Sequence, residues 1–488
     1  MNKLSLSIAL GLLSFSVACG GSGSGNGGFG SGGNTANSKL KGQYAYQLTG
    51  VDFNNTTATP FFREAGVFTA DGNGNITSGI DDFSESSQSS LNSAFTGTYK
   101  ISTDGTGTAV FTFGTSGSAS YALTVVSSSK VDLIETDTGA TAGGTAQLQT
   151  ASSFAAAPTG TFVFRLHTFG TTLTSSVSEV GVFTVASGAV TGTADTNTGG
   201  SVSTVSVTGS FNAPDTTTGR GTGSLNDSVN GTTAFNYYMI DSSTIQLFAS
   251  QPGTMGLGRA EMQSAGPYNA TSLTGGYAFG SRGDTATVDA VRTVGQFAAD
   301  GSGHITSGAI DSAQDGVSSS VTLTGGSYAV QSNGRATVAL TSSAGTVNDI
   351  FWMVSPSRAF FLVNDSATEE DGTADLQSGT FSKSTVSGTY VFLTDGYTLT
   401  TGDTYDRVGT LTADGSGTLV VKYALNFDGS SSLVTLNGTY DVTSNGRMTG
   451  SVNTLSSNLV FYLVSGNQAY MLQNDTGFEL DGAMSKQQ

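Results

Sequence analysis

The sequence predicts an all-β protein built from four tandem antiparallel domains, each an eight-stranded up-and-down barrel. Three observations carry that expectation: a fourfold internal repeat, a period of two inside each repeat, and a composition suited to strands and tight turns. Charged residues are 11% of the chain and 68 residues are glycine, against about 25% charged and 7% glycine in an ordinary domain. Hydrophobic residues still make up 37%, enough for a packed core rather than a disordered chain.

The repeat is read from ordered markers. Gly42-Gln43-Tyr44-Ala45-Tyr46 returns as Gly160-Thr161-Phe162-Val163-Phe164, Gly275-Gly276-Tyr277-Ala278-Phe279 and Gly388-Thr389-Tyr390-Val391-Phe392. A second marker, Gly66-Val67-Phe68, has counterparts in Gly181-Val182-Phe183, Gly295-Gln296-Phe297 and Gly409-Thr410-Leu411, and a third, Gly97-Thr98-Tyr99, returns as Gly-x-aromatic in every unit. Each unit closes on Gly-x-x-x-x-Gln, ending at Gln149, Gln263, Gln377 and Gln487. The period is about 115 residues, long enough for a unit to close its own core. The units are 40–150, 154–263, 270–377 and 378–488, expected as beads in series with protease-sensitive joints near 151–157 and 264–270.

Within unit one the strand candidates are 43–48, 61–70, 75–83, 94–102, 107–113, 119–126, 130–136 and 144–149. In the second of them Gly66, Phe68 and Ala70 share one face, as period two requires. β-Branched residues and glycine are too frequent for helices. The joints are short and rich in Gly, Asp, Asn and Ser, which makes successive hairpins. Eight meander strands burying one face each close into a barrel and lose their edges. The alternative at this length is an immunoglobulin-like sandwich. Self-contained repeats argue against one large outer-membrane barrel.

Ahead of the repeats, Lys3 precedes the apolar run Leu4 to Val17, the form of a secretory signal. It ends Ser16-Val17-Ala18-Cys19, which resembles the lipobox of bacterial lipoproteins, with Ser16 where that family prefers Leu. The resemblance implies cleavage before Cys19, lipidation of its sulfur and attachment to a membrane. Gly20 after the cysteine resembles the outer-membrane default of such proteins. Residues 20–39 are a flexible Gly/Ser-rich tether. The opening Gly-x-aromatic on strand one resembles lipocalins and avidin-like barrels, which begin Gly-x-Trp. The single tryptophan here is Trp352, so biotin binding does not carry over.

Candidate chemistry is sparse. With net charge −18 and 18 Lys and Arg, the chain lacks the basic clusters that phosphate backbones require, so no nucleic-acid partner is expected. One cysteine excludes an intrachain disulfide. Asp71-Gly72-Asn73-Gly74-Asn75 has oxygens at calcium-loop spacing with Asp82 further on, but Ile76 stands where such a loop needs glycine. It is read as a hairpin turn. His304, near Asp300 and Asp311, is a candidate general base by type; as a lone histidine in a turn it is read as a surface residue. The neighbours Asp81-Asp82 and Glu369-Glu370-Asp371 fall on alternate strand faces and do not make an acid/base pair. Arg282-Gly283-Asp284, a tripeptide of animal adhesion ligands, is expected in the loop after the first strand of unit three. No catalytic residue, metal or cofactor is expected, and Cys19 is the one site residue named.

These features point to a surface-anchored, non-enzymatic repeat lipoprotein of the cell envelope, structural or adhesive in role. The alternative is a binding protein that takes a glycan, a small apolar ligand or a surface protein at barrel mouths or loops. An enzyme acting on extracellular polymers ranks third. Four filled cores favour the first, and at least one barrel with small interior residues and an open end favours the second.

Overall fold

In the computed structural model the described residues are 35–54, 61–85, 88–170, 176–285, 290–398, 403–452 and 457–488. Cys19 and most of the tether lie outside them. Each repeat is a closed eight-stranded antiparallel barrel in meander order, so the sandwich alternative is set aside. The first barrel runs β1 Lys41–Asp52, β2 Phe61–Asp71, β3 Asn75–Glu85, β4 Ser89–Ile101, β5 Thr106–Thr112, β6 Ser118–Ser127, β7 Lys130–Glu135 and β8 Ala140–Leu148. β8 pairs back with β1, Tyr44 lying opposite Leu148 on one side and Phe68 on the other. The second, third and fourth barrels begin at Gly160, Thr274 and Ser387 and end at Met262, Leu376 and Lys486.

Every sequence marker has a mechanical reason. The opening glycine takes positive φ in all four units, 123° at Gly42 and 102–125° at Gly160, Gly275 and Gly388, which disfavours other residues. Gly66 is small because a Cβ there would meet the Tyr46 hydroxyl at 2.6 Å. The third marker closes one end of the barrel. Tyr99 donates its hydroxyl hydrogen to the Leu40 carbonyl at 2.7 Å, fixing the short 3-10 turn Asn37–Lys39 as a plug. Tyr328 and Tyr440 do the same to the turns at Ala270–Ser272 and Lys383–Thr385. In the second barrel Phe211 holds the place of Tyr99, and the plug Ala151–Ala155 buries Phe154.

The aromatic markers fill the interiors, as alternation predicts. In the first barrel Tyr44, Tyr46, Phe68, Phe95, Phe111 and Tyr121 form one cluster, with Phe95 and Phe111 stacked at 4.6 Å. The strict one-face pattern fails at Tyr44-Ala45-Tyr46, all fully buried. Ala45 points outward but lies under Tyr238 and Phe248 of the second barrel. The same holds at every contact: Val163 and Val180 meet Trp352 and Phe360, Ala278 and Val294 meet Tyr462 and Leu472, and Ala122 and Ile134 meet Val408 and Ala424. The last contact joins the fourth barrel to the first. The barrels therefore form a closed ring, not beads in series. The joints are packed too: Thr150 N–H donates to Ile240 O at 2.7 Å and Ser264 N–H to Val354 O at 2.8 Å, while Phe154 and Tyr268 are buried.

Candidate functional site

Three of the four junctions use one device. Near the end of its third strand each barrel turns an aspartate outward, fully buried beneath the next barrel. Asp82 receives Arg220 Nε at 2.8 Å and Nη2 at 2.9 Å, plus Tyr238 Oη and Asn236 Nδ2. Asp195 receives Arg335 at 2.8 and 2.7 Å and Trp352 Nε1 at 2.8 Å. Asp311 receives Arg447 at 2.7 Å through both nitrogens and Tyr462 Oη at 2.6 Å. A forked, two-bond arginine–carboxylate contact fixes angle as well as distance. Burial first, and then the aspartate charge, push the Tyr238 and Tyr462 hydroxyls up, so both remain donors.

The junction between the fourth and first barrels changes all three members together. By strand register Ala424 stands where Asp82, Asp195 and Asp311 stand, opposite Val408 as Asp82 is opposite Ala65. Thr106 replaces the arginine, and its register partner Thr124 replaces the aromatic. What all four junctions keep is the closing glutamine. Its Nε2 donates to two carbonyls of the next barrel: Gln149 to Thr218 and Met239, Gln263 to Asn333 and Met353, Gln377 to Asn445 and Leu463, Gln487 to Asp104 and Val125, all at 2.7–3.1 Å.

The outward faces of the first two and last two strands of the barrels meet on the ring axis in a lattice of charge. Arg165 pairs with Asp371 at 2.7 Å, Arg358 bridges Glu261 and Asp375 at 2.8 Å, and Arg259, paired with Glu261 of its own barrel, donates Nη1 to Gln147 Oε1 of the first barrel at 2.7 Å. One level away Arg282 bridges Asp395 and Asp481 at 2.9 and 3.0 Å, Arg292 pairs with Asp481, and Arg63 lies over the Phe169 ring. Burial works against the Asp371 charge, but His167 and Arg165 hold its carboxyl down at about 2. Arg282 keeps 38% of its side chain exposed, so the axis is wetted. Nine of the ten arginines in the sequence thus join barrels to one another; the tenth, Arg407, lies inside the fourth barrel.

The predicted site residues fall as follows. His304 opens the strand His304–Gln314 rather than lying in the turn; its side chain is 70% exposed and its Nδ1 is 2.8 Å from Asp300, while Asp311 faces Arg447 instead. Asp81 points inward to the Tyr46 hydroxyl and Asp82 outward to Arg220, on opposite faces as alternation requires. Glu370 likewise faces inward to Ser281 and Asp371 outward to Arg165. Arg282-Gly283-Asp284 is not a loop. It lies within the strand Thr274–Thr285 with Arg282 locked on the axis, which removes it as an adhesion motif. In the turn after β2, Asp71 accepts from the N–H groups of Asn73 and Asn75 and from Asn75 Nδ2, and these bonds hold its carboxyl at about 2. Its oxygens are thus occupied by the turn itself.

Sequence reasoning did not foresee a Ser-His-Asp grouping. Ser178 Oγ and Asp371 Oδ2 lie 2.9 and 3.1 Å from His167, but both from Nδ1, and Nε2 faces Asp284 at 3.9 Å. A nucleophilic triad needs the hydroxyl on one ring nitrogen and the carboxylate on the other. Ser178 is fully buried beneath the third barrel, so the group serves the axis. The junction triads were also missed. Their only signal was the arginine of Asn333-Gly334-Arg335 and Asn445-Gly446-Arg447, which as triplets spell a hairpin turn.

No protein-family model matches the chain, and no curated protein matches it. Solved structures that resemble it include intact Ap-TbpB with its N and C lobes (7% identity, TM-score 0.20, covering 92% of this chain and 95% of that one). Others are a DUF3598-family protein of unknown function from Nostoc punctiforme (10% identity, TM-score 0.14, 45% and 96%) and kievitone hydratase from Nectria haematococca (6% identity, TM-score 0.17, 67% and 90%). None of the three bears on what this chain does.

Proposed function

We propose that the protein is a non-enzymatic lipoprotein of the cell envelope, structural or adhesive in role, whose working part is a rigid four-barrel ring. The observation that carries this is the use of arginine. Nine of ten bind one barrel to another, an investment in holding shape rather than in a reactive centre. The aromatic interior of the first barrel points the same way.

A glycan or a surface protein is the partner this reading expects, taken at barrel mouths or loops. Cys19 is the proposed attachment point. Fractionation tests the anchor: Cys19→Ala moves the protein to the soluble fraction, and a soluble wild type without an acyl group overturns it. The role is tested by comparing surface attachment and envelope integrity of deletion cells with and without the restored gene. Unchanged behaviour in both assays sinks the structural and adhesive reading.

A further inference from the structure

We propose that the interior of the fourth barrel is a binding site for a small monocarboxylate, held by Arg407. The inference goes beyond the structural reading above and does not rest on it.

Arg407 lies on the second strand of that barrel, Tyr405–Asp414, facing inward and 6% exposed. Register places it opposite Thr394, where the other barrels carry Glu64 opposite Leu48, Glu179 opposite Leu166 and Thr293 opposite Ser281. The charge at this interior position is therefore reversed in one barrel alone. No ion pair joins Arg407 to a carboxylate among the described residues. Its guanidinium lies 4.2 Å from the Tyr405 ring centroid and 5.6 Å from that of Tyr423, and its buried Nε has no hydrogen-bond partner. The Thr394 hydroxyl beside it is also buried without one. Two donors thus converge on an interior with no acceptor assigned to them, which is costly unless an acceptor arrives.

The same barrel lacks three of the first barrel's rings, though Tyr390, Phe392, Tyr423 and Phe461 stay in its core. Register matches Phe68, Phe95 and Phe111 of the first barrel to Leu411, Leu436 and Val452. Beside these positions a cavity of about 20 Å³ opens, with Arg407, Phe392 and Tyr423 on one side and Leu436, Val452 and Met471 on the other. As it stands it holds about one water, and an unbranched methionine with leucines around it can repack. A guanidinium accepts a carboxylate in a two-bond fork, and the aliphatic wall beyond suits a short alkyl tail. The ligand class is therefore a monocarboxylate of formate to butyrate size. An amine is refused by the charge.

The test uses the full chain. Thermal shift and calorimetry are run with formate, acetate, butyrate and hexanoate, against chloride and butylammonium at matched ionic strength. The expected result is binding and a raised midpoint for the short carboxylates, weaker for hexanoate, with none for chloride or butylammonium. Arg407→Gln is expected to weaken binding by about tenfold or more. Leu436→Phe restores the first barrel's ring and is expected to abolish binding while leaving the circular dichroism unchanged, which keeps the test decisive if Arg407→Gln fails to fold. The proposal is overturned if no short carboxylate binds wild type, if chloride matches acetate, or if binding survives Leu436→Phe.

Discussion

Gln487 Nε2 donates to the Asp104 carbonyl at 2.8 Å, across 383 residues of sequence. This contact and its neighbour at Val125 hold the one junction whose two barrels do not follow each other in the chain. Gln487→Ala is expected to cost about 1–2 kcal/mol, the scale of two neutral hydrogen bonds. Hydrogen exchange should rise around Ala122, Ile134 and Val408 and nowhere else. Uniform change across all four junctions would count against the ring as described.

The buried triads predict a sharp asymmetry between single and joint replacement. Arg447→Ala leaves the Asp311 carboxylate buried without its cation and should cost about 3–5 kcal/mol. The triple change Asp311→Ala, Arg447→Thr, Tyr462→Thr copies the fourth junction and should cost less than Arg447→Ala alone. Denaturant unfolding of both proteins checks this. A triple variant worse than the single one would show that the fourth junction depends on something else.

Stability should fall as pH rises from about 4 to about 8. Burial pushes Asp81 up to about 7 and Glu135 and Glu179 up to about 8. A carboxyl with a raised folded value binds its proton more tightly in the native state. Its contribution is complete below the unfolded value near 4 and is lost as pH passes through the folded value, at about 1.4 kcal/mol per pH unit per group. Asp371, held at about 2, acts oppositely and is lost only as pH falls from about 4 through 2. Melting curves should therefore peak near pH 4–5, and Glu135→Gln with Glu179→Gln should flatten the alkaline slope. A midpoint that climbs between pH 5 and 8 contradicts this.

The turn Asp71–Asn75 predicts a glycine effect without a metal effect. Gly74 sits at φ 114°, and a Cβ there would lie 2.8 Å from Asn37 Nδ2 and 3.1 Å from the Tyr99 carbonyl. Gly74→Val should loosen the plug over the first barrel and lower its midpoint, while calcium leaves the wild-type midpoint unchanged. A calcium-dependent rise lost in Asp71→Ala would make the turn a metal loop.

The joints at 151–157 and 264–270, expected from sequence to be protease sites, should resist cleavage. Phe154 and Tyr268 are buried there and the backbone is bonded to the next barrel. Rapid cutting at either joint would mean the barrels separate readily.

What the sequence shows well is whatever repeats locally. The eight strands of the first barrel were legible from alternation and glycine turns; only their ends moved, β1 running on to Asp52 and β4 starting at Ser89. The aromatic filling followed from the same alternation. The ring was not legible, because an outward Ala45 or Val163 under a neighbouring barrel looks like any residue of a half-buried strand. Asp82 and Arg220 are too far apart in sequence for spacing to join them, and no local pattern ties a carboxylate at one strand end to an arginine in the next repeat. The closing glutamines were visible as a period, but their role needed the neighbouring carbonyls.

Because the ring closes, its starting point is arbitrary. Gln488 N–H donates to Val126 O as Thr150 N–H donates to Ile240 O, so residue 488 stands to the first barrel as residue 150 stands to the second. A circular permutant that begins at the second barrel, with a copy of the segment 151–158 joining residue 488 to Lys41, would keep the four barrels and exchange only the plug of the first for that of the second. Such rotation moves the chain's entry point from barrel to barrel while leaving the four junctions in place, so the architecture itself does not dictate at which quarter of the ring the repeats begin.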